Sequence, residues 1–197
     1  MPDLGGYVLV GGKSSRFGRD KALVEVGGQV LAVRMAGVLQ PLTKTVTLVG
    51  PPEKYRHLGL RVISDPLPDY GPLAGLLAAL DDSASSWNII TACDLPNIST
   101  GFLEFLVERA RNADADIVVP VDAAGNAEPL CAAYALHCRE SIRRAIEWEV
   151  HKVTEAFTEL RVLEVKPEEY AAFNPDGRLF ANLNSVEDLT SVAGKGS

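Results

Sequence analysis

Cysteine is scarce in this chain of 197 residues: Cys93, Cys131 and Cys138 make an odd count of three, with no C-x-x-C pair. Cys131 and Cys138 stand seven apart, with no His or Cys at metal-ligand spacing. Neither a disulfide framework nor a structural zinc site is expected. No apolar run approaches the ~18 residues that a membrane span requires. The opening residues carry an early Asp3 and only a short apolar run at 7–11, which does not suit a secretory leader. The expectation is a soluble, cytoplasmic protein with no membrane partner. A basic excess is missing too. Lys and Arg number 19 against 26 Asp and Glu, a net charge of −7. General nucleic-acid binding is therefore not expected.

What is present is ordinary globular material, 47% hydrophobic and 23% charged, which argues against a disordered chain. Seventeen glycines and 12 prolines imply many turns. The length suits one domain, or one domain with an appended lobe. We read residues 1–192 as a single domain, with about 122–192 an added lobe or a β-rich extension of the same sheet and 193–197 a frayed tail. The charge is uneven. Residues 1–60 hold 8 Lys and Arg against 4 Asp and Glu, whereas the rest hold 11 against 22. A basic first third suggests an anionic small ligand.

Apolar runs predict strands at 7–10, 45–49, 60–64, 88–92, 117–121, 130–136, 160–165 and 178–181. Amphipathic stretches predict helices at 30–39, 72–80, 100–111 and 140–148, with a short one at 186–189. Pro72 suits an early helical position and Ser99 an N-cap. Such alternation predicts an α/β fold, three-layered and Rossmann-like, around a mostly parallel sheet. Trp87 and Trp148 read as packing residues, and His57, His137 and His151 as scattered surface residues. In open α/β sheets ligands bind beyond the carboxyl ends of the strands. The segments to inspect are therefore 11–21, 50–52, 65–75 and 93–96.

The first of these is rich in chemistry: Gly11-Gly12-Lys13-Ser14-Ser15-Arg16-Phe17-Gly18-Arg19-Asp20-Lys21. Three glycines let backbone N–H groups approach an anion closely, and four cations fall within nine residues. That composition suits a triphosphate cradle. It is not a P-loop, because Tyr7 stands where the first glycine of G-x-x-x-x-G-K-[ST] is needed, and G-x-G-x-x-G does not occur. Asp94 follows a strand in Cys93-Asp94-Leu95-Pro96, where a carboxylate can ligate Mg²⁺ or cap the next helix. Asp65 also ends a strand. Gly71-Pro72-Leu73-Ala74-Gly75 opens a helix, where N–H groups can face an anion or a base edge.

The glycine segment, with Leu9 and Val10 before it, resembles the L-A-G-G-x-S-x-R-M-G-x-D-K signature of molybdenum cofactor guanylyltransferases. Val10 and Phe17 are its two departures, both apolar. The cytidylyl relatives have L-A-A-G instead, so Gly11, together with Asp20-Lys21, favours the guanylyl branch. The resemblance also takes in Asp65, and four further segments follow the family's own order: the G-P-L-A-G stretch, C-D-x-P at Asp94, Glu128-Pro129-Leu130, and Asn182-Leu183-Asn184-Ser185. After the second strand some relatives have an asparagine; here Val49-Gly50 leaves only backbone groups to bind.

The resemblance implies a Mg²⁺-dependent transfer of GMP from GTP to molybdopterin, with or without molybdenum, and release of pyrophosphate. It implies Arg16, Lys21 and Asp94 in catalysis, Asp94 as the metal ligand, and nucleotide contacts at Leu9, Val10, Gly11, Gly12, Lys21, Asp65, Gly71, Gly75 and Asp94. Glu128, Asn182 and Asn184 would face the pterin, although Asn184 and Ser185 equally suit a turn and an N-cap. Other cofactor-biosynthesis proteins and acceptor enzymes are the implied protein partners. A cytidylyl- or sugar-phosphate nucleotidyltransferase, or a non-catalytic nucleotide binder, are the alternatives.

Overall fold

The structure, a computed structural model, describes residues 3–11, 20–67 and 69–183. The expected helix at 186–189, Gly12, Arg16, Asn184 and the 193–197 tail lie outside them. The first strand, β1 (Leu4–Leu9), starts three residues earlier than the apolar run. Its Gly5 and Gly6 permit close neighbours: a Cβ on Gly5 would fall 2.3 Å from Asn88 Oδ1, so glycine here marks a tight inter-strand approach. A small hairpin follows, β2 (Glu25–Val26) and β3 (Gln29–Val30). The sequence reading left it out. Gly27 and Gly28 make its two-residue turn with φ of +59° and +79°, which L side chains rarely adopt.

The hairpin leads into α1 (Leu31–Leu39), then β4 (Val46–Val49), the single turn α2 (Pro52–Tyr55), β5 (Arg61–Ile63) and α3 (Pro72–Asp82). Next come β6 (Trp87–Ala92), α4 (Thr100–Asn112), β7 (Ile117–Pro120), β8 (Cys131–Ala135), α5 (Cys138–Glu147) and β9 (Val162–Val165). Ser99 caps α4, its hydroxyl accepting from the Phe102 N–H at 3.3 Å.

Seven strands form one sheet in the order β5-β4-β1-β6-β8-β7-β9. Pairing is parallel except for β8, which runs antiparallel to β6 and β7. The period-2 alternation of β1 sorts the core. Leu4 and Val8 pack with α1 and α4 residues on one face, while Tyr7 and Leu9 pack with α3 and α5 residues on the other. Burial of both faces explains why the strands are apolar almost throughout. Helix α3 is buried at every position from Leu73 to Leu80. The result is a three-layer α/β arrangement. No helix among the described residues is long and apolar enough to cross a membrane.

Two expectations fail. Residues 178–181 form a turn, with the Ala181 N–H donating to the Arg178 carbonyl at 3.0 Å. Leu179 is buried there and Phe180 stacks edge-on to Phe102 and Tyr170. The apolar character of this run therefore serves packing and not strand pairing. Trp148 does not pack either; it is 71% exposed, just past the end of α5.

Candidate active site

After β1 the chain moves outward through β4 and β5, then returns to β6 on the other side of β1. Such a reversal splays the connections and opens a crevice at the carboxyl ends of the strands. A cleft of about 500 Å³ lies there. Its floor is made by the ends of β1, β4 and β6, at Leu9–Gly11, Val49–Pro51 and Ala92–Asp94. Of the expected nucleotide-binding residues, Leu9, Val10, Gly11, Lys21, Asp65, Gly71, Gly75 and Asp94 all line this cleft.

Each wall has a local cause. The Cys93 N–H donates to the Leu9 carbonyl at 3.2 Å, so the β1 and β6 ends stay paired as they enter the cleft. Lys21 starts a 3₁₀ turn that Asp20 caps, accepting from the Ala22 N–H at 3.2 Å. Its ammonium stands 3.4 Å from Asp94 Oδ2, and both side chains are about three-quarters buried. Asp94 does not cap α4, because Ser99 does. On the opposite wall Gly71 has φ +106°, which only glycine adopts without strain, and this lets Pro72 begin α3. A Cβ on Gly75 would meet Leu9 Cδ2 at 3.4 Å, and Asp65 Oδ2 would lie 3.9 Å away. Burial raises the Asp65 carboxyl pKa, partly offset by the Leu67 N–H that it accepts at 2.8 Å.

Glu128 and Asn182 do not line the cleft; both lie close to Asp94 in the fold. Because β8 runs antiparallel, the segment just before it emerges at the same end of the sheet as the end of β6. The Ala92 N–H donates to the Leu130 carbonyl at 2.7 Å. Burial first, then the negative charge of Asp94, raises the Glu128 pKa. Asn182 is exposed, and its neighbour Leu183 donates its N–H to the Asp94 carbonyl at 3.0 Å.

Sequence reading missed Lys54 and Tyr55, and gave Asp20, part of the glycine-rich segment, no site role. Lys54 lines the cleft and stands 3.5 Å from Asp20. Asp20 also lines it, and Tyr55 reaches both Asp20 and the Val10 carbonyl. Lys54 and Tyr55 sit on the single turn after β4, and nothing in their local spacing marks them.

This architecture has known counterparts. The chain is 26% identical to the crystal structure of molybdopterin-guanine dinucleotide biosynthesis protein A from Archaeoglobus fulgidus, with a TM-score of 0.83 over 96% of this chain and 97% of that one. A 2-C-methyl-D-erythritol 4-phosphate cytidylyltransferase from Thermus thermophilus shares the fold at 15% identity, with a TM-score of 0.70 over 96% of each chain. In sequence, the chain is 34% identical to a probable molybdenum cofactor guanylyltransferase of Pelotomaculum thermopropionicum, over 95% of this chain and 90% of that protein. Residues 6–162 match the MobA-like NTP transferase domain, and the chain belongs to that family.

Proposed function

We propose that this protein transfers the GMP moiety of GTP to molybdopterin, with or without bound molybdenum, and releases pyrophosphate. The observation that carries the reading is the meeting of Lys21 and Asp94, 3.4 Å apart, at the switch-point cleft beside Gly11. A cation for phosphates and a carboxylate for a metal stand together where this architecture binds ligands. The similarity to guanylyltransferases supports guanine as the base.

In the reaction an acceptor phosphate oxygen attacks the α-phosphorus of GTP, the bond to the β-phosphate breaks, and pyrophosphate leaves. The attacking group is already an anion, so no side chain needs to remove a proton. Positioning and charge neutralisation do most of the work. Lys21, with Arg16, holds the triphosphate and offsets the charge that grows on the leaving group. Leu9, Val10 and the backbone of Gly11 line the phosphate approach, and the family resemblance adds Gly12 to them. Asp65, Gly71 and Gly75 face the nucleoside, and Glu128, Asn182 and Asn184 face the pterin.

Asp94 is the residue we assign to Mg²⁺. Among the described residues no three His, Cys, Asp or Glu side chains gather into a ready-made metal cage. A single carboxylate at a strand end fits this ion, which takes one or two carboxylates and fills its shell with phosphate oxygens and water. When bound, Mg²⁺ supplies positive charge against the triphosphate. We place the enzyme in the cytoplasm, where it would meet other proteins of cofactor synthesis and the enzymes that accept the product.

The test is turnover with molybdopterin and each of the four nucleoside triphosphates, read as pyrophosphate release with and without Mg²⁺. Magnesium-dependent release from GTP is the expected result. Release from CTP alone would move the protein to the cytidylyl branch, and binding without release would make it a non-catalytic nucleotide binder.

A further inference from the structure

The chain enters the glycine-rich segment through Val10 and leaves it through Asp20, and a residue from elsewhere touches both ends. The Tyr55 hydroxyl lies 2.7 Å from the Val10 carbonyl and 2.8 Å from Asp20 Oδ2, sharing its one proton between them. Its ring is only 1% exposed. The fit around the ring is close. A Cβ on Gly50 would fall 3.0 Å from Tyr55 Cε2 and 2.9 Å from Val10 Cγ2. Asp20 is held from two further directions, by the Ala22 N–H at 3.2 Å and by Lys54 Nζ at 3.5 Å. Burial, then the Asp20 carboxylate, pushes the phenol pKa far above its ordinary value, so the donor keeps its proton.

Val10 immediately precedes Gly11, and Asp20 immediately precedes Lys21. Whatever fixes Val10 against Asp20 therefore fixes the Gly11 backbone against the backbone from which the Lys21 side chain springs. A hydrogen bond to a charged acceptor is the strong kind, and here the donor is buried while Asp20 keeps only partial exposure. We infer that Tyr55 is a positioning residue for the triphosphate end of the nucleotide, its hydroxyl holding the segments that carry Gly11 and Lys21 at a set separation. This rests on the nucleotidyltransferase reading above, and it deepens that reading by assigning a residue that no local motif marks. Tyr55 touches no reacting atom; it acts through Val10 and Asp20.

The experiment is calorimetric binding of GTP, GMP and inorganic pyrophosphate to wild type, Tyr55→Phe, Asp20→Asn and the double variant, with steady-state kinetics alongside. Tyr55→Phe keeps the ring packing and removes only the hydroxyl. It should weaken GTP and pyrophosphate alike by about 10-fold, the factor expected for one lost hydrogen bond. GMP should be weakened less, and kcat at saturating GTP should stay near wild type. The two substitutions remove one shared interaction, so the double variant should bind GTP no more weakly than the worse single one. Wild-type affinity for GTP and pyrophosphate in Tyr55→Phe, with or without a lower melting temperature, overturns the inference, as does additivity of the two substitutions. A wild-type protein that binds neither GTP nor pyrophosphate overturns the proposed function, and the inference with it.

Discussion

Lys21 Nζ and Asp94 Oδ2 lie 3.4 Å apart, although 73 positions of sequence separate them. The pair forms because β1 and β6 are parallel neighbours whose carboxyl ends open on the same side. A cation and an anion in contact hold each other ready. On the proposed function a triphosphate would offer Lys21 new oxygen partners, and the Asp94 carboxylate would hold Mg²⁺.

Replacing Lys21 by Ala should weaken triphosphate binding and slow transfer, since a positioned cation beside the leaving phosphates is lost. Electrostatic contacts of this kind are worth up to roughly 10²–10³ in rate. Steady-state kinetics equal to wild type would make Lys21 a structural partner of Asp94 and nothing more.

Asp94→Asn preserves size and most hydrogen bonding but removes the charge that a hard divalent cation favours. Turnover should fall by several orders of magnitude while the melting temperature stays close to wild type. Raising Mg²⁺ should rescue activity only in part. A folded, fully active Asp94→Asn protein would sink the metal assignment.

Base choice should favour GTP over CTP in kcat/KM. Gly71 and Gly75 line the cleft at the start of α3 without side chains of their own, so backbone groups there can meet a guanine edge. The shared fold of a cytidylyltransferase makes this comparison informative, because the architecture alone serves either base.

Away from the cleft, Asp116 joins β7 to the chain entering β9. It accepts from the Arg161 backbone N–H at 2.8 Å, from the Arg161 guanidinium at 2.7 Å, and pairs with His137 Nε2 at 2.9 Å. The Arg161 guanidinium holds its carboxyl well below the usual carboxylate range. A depressed folded pKa stabilises above the unfolded value, about 4, and that stabilisation fades as pH falls towards the folded pKa. Asp116→Asn should therefore cost roughly 1–3 kcal/mol at neutral pH. The gap in melting temperature from wild type should narrow steadily below about pH 4. A gap that is constant with pH would show that shape, and not charge, makes the contribution.

Much of this protein can be read along the chain. The strands and helices follow from periodicity, because side-chain direction repeats every two or 3.6 residues whatever the distant context. Gly11 and the carboxylates Asp65 and Asp94 stand out because each comes two residues after a strand, where an α/β sheet presents its ligands, and Lys21 because it closes the glycine-rich segment. Even the missed hairpin had its local mark in Gly27-Gly28. Other features depend on which strand lies beside which, and in what direction. Glu128 comes near Asp94 only because β8 is inserted antiparallel between β6 and β7. Leu179 and Phe180 read as strand until the buried cluster around Phe102 and Tyr170 claims them. Tyr55 is one more apolar residue in sequence. It becomes the brace between Val10 and Asp20 because β4 packs alongside β1 and delivers α2 to the mouth of the cleft. Local sequence settles which backbone shapes are cheap. The partners of a buried polar group are chosen only when the sheet closes, because desolvation then makes an unmade hydrogen bond costly.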